Sequence, residues 1–307
     1  MRVTRQFPFA AEGALVLAAF LFGVTFVLVQ DAIEDITPTG YVTLRFLIGA
    51  AALAPFAWVI ARRRREPARL LWSAGTIAGL LLFAAYLTQT VGLQYTESST
   101  SAFITGLYVV FTPIIEAIAR RRVPPAGVST GIGVATVGLF LLTGAELALG
   151  RGELLTLACA VLFAGWIVYQ GSYANRLDTI PFTTVQMSVL ALVSIPPTAV
   201  TGIGQLTGVA LFAAALTGIA CSSGALSLQL YGQRRVSPSR AALILLLEPV
   251  FAGVAGYVAG ERLGAVKLTG AAVILVGIAI AELVPDARGA SLRSARRTAT
   301  RERGGGR

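Results

Sequence analysis

The chain has 307 residues, of which 55% are hydrophobic and only 13% charged, and its mean hydropathy is +0.75. These values exclude one or two soluble globular domains and place the chain in a lipid bilayer. The net charge is +10 at pH 7 and histidine is absent. The commonest general base and metal ligand is therefore missing, which argues against an enzyme with a histidine-dependent site.

Ten apolar runs follow one another along the chain. Each has roughly the 20 residues that a helix needs to cross a hydrocarbon core about 30 Å thick. The connecting segments are short and contain no phosphate-binding glycine loop. We therefore predict an all-α membrane protein with ten transmembrane helices. The predicted spans are residues 13–30, 40–61, 70–92, 99–119, 126–144, 152–171, 180–201, 206–231, 239–260 and 265–284.

The basic residues predict the orientation of these spans. Of the 25 lysines and arginines, all fall on one side of the ten-span arrangement except Arg45, Arg151, Arg262 and Lys267. Because basic residues accumulate in cytoplasmic loops, we predict a multi-pass protein of the cytoplasmic (inner) membrane with both termini in the cytoplasm. The composition of the basic tail predicts disorder.

The two halves of the chain repeat one another. Gln89, Gly92 and Ser99 match Gln229, Gly232 and Ser239 about 140 residues further on, and other matches keep nearly the same offset. Five spans per copy is an odd number, so the second copy is expected to be inverted in the membrane, as in many secondary transporters. The predicted organisation is an N-terminus at 1–11, a first five-helix repeat at 12–144, a second at 152–284 and a tail at 285–307.

Polar side chains at helical spacing indicate a candidate substrate site. Thr105 and Tyr108 of the fourth span lie on one face with Ser101 and Thr112, and such a face must point into the protein or into water. Similar sets occur in other spans. Hydrogen bonds that only join helices, worth about 0.6 kcal/mol each, are the alternative interpretation. The sets in the third, sixth and eighth spans include Tyr86, Gln89, Trp166, Tyr169 and Gln229.

Among the charged residues within predicted spans, Glu248 and Arg45 receive different interpretations. Glu248 lies about nine residues, some 14 Å, into the ninth span, which places it near the midplane. We expect it to act as a proton site or as the partner of a cationic substrate group; the alternative is a structural hydrogen bond beside Pro249. Arg45 lies near the outer end of its span, so we expect it to reach the interface or to pair with Asp31, Glu34 and Asp35.

Pro113 and Pro249 fall within the fourth and ninth spans, at related places in the two repeats. Each removes one backbone hydrogen bond, so both helices are expected to bend there. The bend is either fixed, shaping a cavity, or a paired hinge.

The repeat and several short strings resemble the drug/metabolite transporter superfamily, in particular EamA-type permeases. The resemblance covers residues 12–284 and departs at Arg121 and Arg122, where the second half has Glu261 and Arg262. It implies a monomeric or homodimeric carrier, often an exporter, with a central cavity lined by spans 1, 3, 4, 6, 8 and 9. The strings that carry it are Phe22 to Val27 (FGVTFV), Arg45-Phe46, Ala102 to Pro113, Leu246 to Val250, Gly260-Glu261 and the TGAAVILVGIAI that begins at Thr269.

From these features we expect a secondary active transporter of small organic metabolites, amino acids or related compounds, exported by alternating access. The expected partners are a small-molecule substrate, the lipid bilayer and, in one interpretation, protons, but no nucleic acid, cofactor or metal. The alternatives are a drug or cation efflux carrier, an intramembrane enzyme and a non-transporting scaffold; no catalytic residue is predicted. The predicted substrate-binding residues are Thr25, Tyr86, Gln89, Thr105, Tyr108, Trp166, Tyr169, Gln229 and Glu248, and the predicted hinge residues are Pro113 and Pro249.

Overall fold

A computed structural model describes residues 10–64, 67–119, 121, 126–142, 149–236, 241, 244–245 and 247–283. These residues are almost entirely helical, and their one β-bridge joins Ile36 to Gly204. The helices are α1 (Ala10–Asp35), α2 (Pro38–Arg64), α3 (Ala68–Gly92), α4 (Ser98–Thr105), α5 (Tyr108–Ala119), α6 (Ala126–Leu142), α7 (Arg151–Tyr173), α8 (Thr179–Thr201), α9 (Gly208–Leu216), a π-helical segment (Thr217–Ala225), α10 (Leu226–Gln233), α11 (Leu247–Val258) and α12 (Ala265–Leu283).

Within the described ranges, seven helices are long and apolar enough to cross a membrane. One of them comprises α4 and α5, and another comprises α9, the π-helical segment and α10. Three shorter apolar helices, Gly133–Leu142, Leu247–Val258 and Ala265–Gly277, lie inside the three remaining predicted spans. The prediction of an all-helical membrane protein is confirmed, whereas the count of ten spans stays a prediction.

Helix packing follows the repeat. α1 packs on α11 and on the α9–α10 segment, just as α7 packs on the α4–α5 segment and on α3. Similarly, α2 packs on the π-helical segment as α8 packs on α3. When the two halves are swapped, the pair α2–α8 and the pair α6–α12 each map onto themselves. This pattern is what a two-fold relation between the halves produces.

Two spans depart from a regular α-helix. The fourth span tightens between α4 and α5, where the amides of Leu107 and Val110 donate to carbonyls only three residues earlier. α5 then runs without interruption through Pro113, so the irregular turn precedes the proline by about two turns. In the eighth span, the π-helical segment stands where the sequence predicted continuous α-helix. π-helical turns inside α-helices are frequently found at functional sites.

Candidate functional site

A cavity of about 420 Å³, including its opening, lies between the two halves. Side chains from α1, α3, α4, α5, α7, α10 and α11 line it, so both repeats contribute. These helices belong to the predicted spans 1, 3, 4, 6, 8 and 9. The lining residues are Phe22, Thr25, Phe26, Tyr86, Gln89, Thr105, Tyr108, Phe163, Trp166, Ile167, Leu226, Gln229, Leu245 and Glu248.

The structure brings eight of the nine predicted substrate-binding residues to this cavity. The exception is Tyr169, which packs on Tyr173 with ring centroids 5.2 Å apart and is only partly buried. Trp166 lines the cavity, and its indole N–H donates to Gln186 Oε1 at 2.8 Å. The Thr25 hydroxyl donates to the carbonyl of Phe22 in its own helix.

Glu248 is the only ionisable carboxyl among the lining residues. Glu248 is only 8% exposed, and Tyr108 donates a hydrogen bond to its Oε2 at 3.2 Å. Two glycines allow the surrounding backbones to approach. A Cβ at Gly23 of α1 would lie 2.7 Å from the Glu248 carbonyl, and one at Gly106 would lie 3.2 Å from Pro249 Cγ. Close helix packing therefore fixes the position of this carboxyl group.

Several aromatic rings line the cavity together with the polar groups. Phe163 contacts Tyr86 at 5.1 Å and Trp166 at 6.2 Å between ring centroids, both with edge-to-face geometry. Gln89 donates to the Thr105 hydroxyl at 3.3 Å across α3 and α4. Aromatic faces attract cations, and a desolvated cation–π contact is worth about 2 kcal/mol. The cavity therefore combines one acidic group, amide groups and several rings.

The interpretation of Arg45 as an interfacial or ion-paired residue is wrong. Arg45 is 3% exposed; its Nε donates to Ser222 Oγ at 2.7 Å, and its guanidinium lies 5.0 Å from the ring centroid of Tyr86. Its Nη2 is buried without a hydrogen-bond partner. The start of α2 is covered by the residues before α9, since Thr37 N donates to Ile203 O at 3.1 Å. That cover prevents the side chain from reaching the interface.

A carboxylate joins the two halves at the N-terminus of α4. Glu261 accepts hydrogen bonds through Oε1 from the amide and hydroxyl of Ser98, at 3.1 and 2.5 Å, and through Oε2 from the amide and hydroxyl of Ser99. We call these three residues the Glu261 latch. It joins the N-terminus of α4 in the first half to the segment after α11 in the second. Ser98 precedes Thr105 by seven residues, or about 10 Å of helix.

Further contacts around the latch also cross between the halves. Thr96 donates to Glu153 Oε1 at 2.9 Å, and Lys267 Nζ lies 2.9 Å from Glu97 Oε2. Within the first half, Gln30 accepts from the Ser98 amide at 3.0 Å. The first and second halves are thus fastened together at this end of the molecule.

The sequence interpretation missed the apolar lining residues Phe22, Phe26, Phe163, Ile167, Leu226 and Leu245. Helical spacing relative to the predicted site residues could have identified them. Phe22 and Phe26 flank Thr25 on one helical face, and Phe163 and Ile167 flank Trp166 in the same way. Leu226 and Leu245 likewise stand three residues before Gln229 and Glu248, which belong to the predicted set.

These features define a multi-pass membrane protein with a central cavity lined from both halves. The model of the EamA-like transporter family matches the chain twice, over residues 10–144 and 150–283. The chain belongs to this family.

Relatives agree with that assignment. An uncharacterized transporter of Archaeoglobus fulgidus is 29% identical over 277 residues, covering 89% of this chain and 86% of the relative. A second uncharacterized transporter of the same organism is 27% identical over 273 residues, covering 88% and 95%. A solved crystal structure aligns with a TM-score of 0.66 at 21% identity, covering 89% of this chain and 97% of that one. At that identity the likeness shows the fold alone.

Proposed function

We propose that this EamA-family transporter is a secondary active carrier that exports small organic metabolites, with amino acids and related compounds as the leading substrate class. The observation that carries the proposal is the buried carboxyl of Glu248 in a cavity lined from both halves. A substrate ammonium would find there a charge partner in Glu248 and ring faces in Tyr86 and Phe163. Glu248 would otherwise serve as a proton site that couples transport to the proton gradient.

Alternating access gives the repeat and the latch a role in transport. Inverted repeats supply two conformations in which the same site opens to opposite sides. In the structure, the Glu261 latch fastens the halves at one end, which the predicted topology places outside the cell. Opening of that end then requires the four hydrogen bonds of Glu261 to break. The latch is thus proposed to be the outer gate.

Gln89 and Gln229 are expected to lie near the two gates, because each stands one turn before the end of its helix, α3 and α10. Their equivalence in the repeat places them on opposite sides of the midplane. A reagent entering from outside should reach the Gln89 position first.

Two measurements test this proposal. Proteoliposomes that contain the purified protein should exchange external radiolabelled amino acids with internal amino acids, and protein-free liposomes should not. In addition, Glu261→Gln should raise the rate at which an impermeant thiol reagent labels Gln89→Cys from outside severalfold, whereas Glu34→Gln, at an exposed carboxylate, should not. Cys159 and Cys221 are buried, so background labelling is low. Absence of exchange across the set of amino acids would refute the substrate class.

A drug or cation efflux carrier is the second candidate function. The acidic group and the rings of the cavity suit a hydrophobic cation as well as an amino acid. The two candidates differ in one chemical respect, since an amino acid carries a carboxylate and a simple amine does not. Comparison of an amino acid with its amide therefore separates them.

A further inference from the structure

The guanidinium of Arg45 has a donor that no protein group uses. A charged side chain inside a membrane protein is costly, and buried polar groups are normally hydrogen-bonded. Arg45 donates from Nε to Ser222, and its guanidinium lies against the rings of Tyr86 and Phe46, at 5.0 and 5.4 Å. Nη2 has no partner. These contacts hold the charge in place and leave one terminal nitrogen available for a ligand.

The surroundings of Arg45 are built from both repeats. Ser222 belongs to the π-helical segment of the second half, whose Ser223 hydroxyl donates to Gly49 O of α2 at 2.8 Å. Nearby, Tyr41 and Thr217 share a hydrogen bond of 2.7 Å. A Cβ at Gly218 would lie 2.5 Å from the Arg45 carbonyl, so the two backbones approach closely. The wide π turn thus presents hydroxyl groups to α2 at the level of Arg45.

Tyr86 connects this cluster to the cavity. Its ring lines the cavity together with Glu248 and also lies against the Arg45 guanidinium. Arg45 itself is not a lining residue, so the Tyr86 ring separates the positive charge from the space in which Glu248 provides the negative charge. Rotation of one side chain would join the two.

We propose that Arg45 forms an anion subsite of the cavity, whose free Nη2 binds the carboxylate of the substrate when Tyr86 turns away, while Glu248 holds the substrate ammonium. This assignment rests on the proposed function and narrows it to zwitterionic substrates. A guanidinium is suited to the task because its planar donors match a carboxylate. The competing account is a purely structural arginine, held by Ser222 and the two rings. Replacement of such an arginine would change the affinity for ligands with and without a carboxylate equally.

The test measures affinities of the purified full-length protein for matched probes. The probes are L-phenylalanine and L-leucine, their amides, which lack the carboxylate, and 3-phenylpropionate, which lacks the ammonium. In the wild type, each acid should bind at least about tenfold more tightly than its amide. Arg45→Gln should weaken acid binding about tenfold or more while changing amide binding less than about twofold.

Control variants keep the test decisive if Arg45→Gln folds poorly. Arg62→Gln removes an exposed arginine that stacks on Trp58 at 4.1 Å, and it should leave every affinity unchanged. Arg45→Lys keeps the charge but loses the planar donors, so its preference for acid over amide should be intermediate. A wild-type preference that persists undiminished in a folded Arg45→Lys or Arg45→Gln variant would overturn the proposal.

Failure of the subsite and failure of the proposed function give different results. If amides bind as tightly as acids, or no acid binds, the Arg45 subsite is refuted, although exchange of amines in proteoliposomes would preserve a carrier. If acid binding depends on Arg45 but proteoliposomes exchange nothing, the subsite stands and the proposed transport is refuted.

Discussion

Two buried charges of opposite sign lie on either side of Tyr86, and their surroundings differ. Glu248 faces the cavity, accepts a hydrogen bond from Tyr108 and is positioned by close backbone packing of α1 on α11. Arg45 is outside the lining, bonded to a serine of the π-helical segment and stacked on rings. Glu248 lies directly at the cavity, whereas the role proposed for Arg45 requires Tyr86 to move first. In that proposal, a buried charge serves a cavity that it does not line.

The largest expected effect concerns the packing that fixes Glu248. Gly23→Ala places a Cβ 2.7 Å from the Glu248 carbonyl, and a backbone atom cannot move aside easily. We expect a loss of about 1–3 kcal/mol in stability, seen as a lower melting temperature in detergent, and weaker binding of acids and amides alike. Gly13→Ala in the same helix, where a Cβ meets nothing within 4 Å, is the matched control. Equal behaviour of the two variants would contradict the packing argument.

A glycine-to-alanine substitution beside Arg45 should weaken the binding of acids more than the binding of amides. Gly218→Ala places a Cβ 2.5 Å from the Arg45 carbonyl, so α2 and the π-helical segment must separate and the Arg45–Ser222 hydrogen bond should lengthen. We expect the preference for L-phenylalanine over its amide to fall severalfold, with amide affinity nearly unchanged. Gly224→Ala, whose Cβ has its nearest neighbour at 3.7 Å, is the control in the same segment. If both ligands weaken in parallel, the two charges do not have separate roles.

A smaller effect is expected at the Tyr108 hydroxyl. Tyr108→Phe removes the hydrogen bond to Glu248 and leaves the ring, so transport should fall by about three- to tenfold, the range of one typical hydrogen bond. The same substitution added to Glu248→Gln should cause a smaller further loss, because the two residues act together. Proteoliposome exchange measures both. Fully multiplicative effects would show that Tyr108 acts independently of Glu248.

Helical spacing predicted most of the candidate site. Thr105 and Tyr108 stay on the cavity side although the helix tightens between them, because the face of a short stretch tolerates a small local change in pitch. The prediction for Glu248 rested on its distance from the ends of an apolar run, and in the structure this residue lines the cavity. Tyr169 stands three residues after Trp166, a spacing at which Tyr86 and Gln89 both line the cavity, but its ring packs on Tyr173 instead.

Arg45 and the π-helical segment could not be predicted in the same way. Distance from the helix start gave the depth of Arg45, but the burial of that end depends on the residues before α9, more than 150 positions away in sequence. The segment Thr217–Ala225 has no proline or charge that marks a wide turn. Its close contact with Gly49 and Arg45 arises from tertiary packing, which no local pattern records.

The most direct test of the central claim is the rate and pH dependence of proteoliposome exchange for Glu248→Gln, a variant that keeps the size of the side chain and removes its charge and its titration. We expect a well-folded protein whose exchange rate is at least about tenfold lower than that of the wild type and whose remaining activity has a flatter pH profile. Glu34→Gln should behave as the wild type. A folded Glu248→Gln protein with an unchanged rate and unchanged pH dependence would show that Glu248 is structural and would contradict the account.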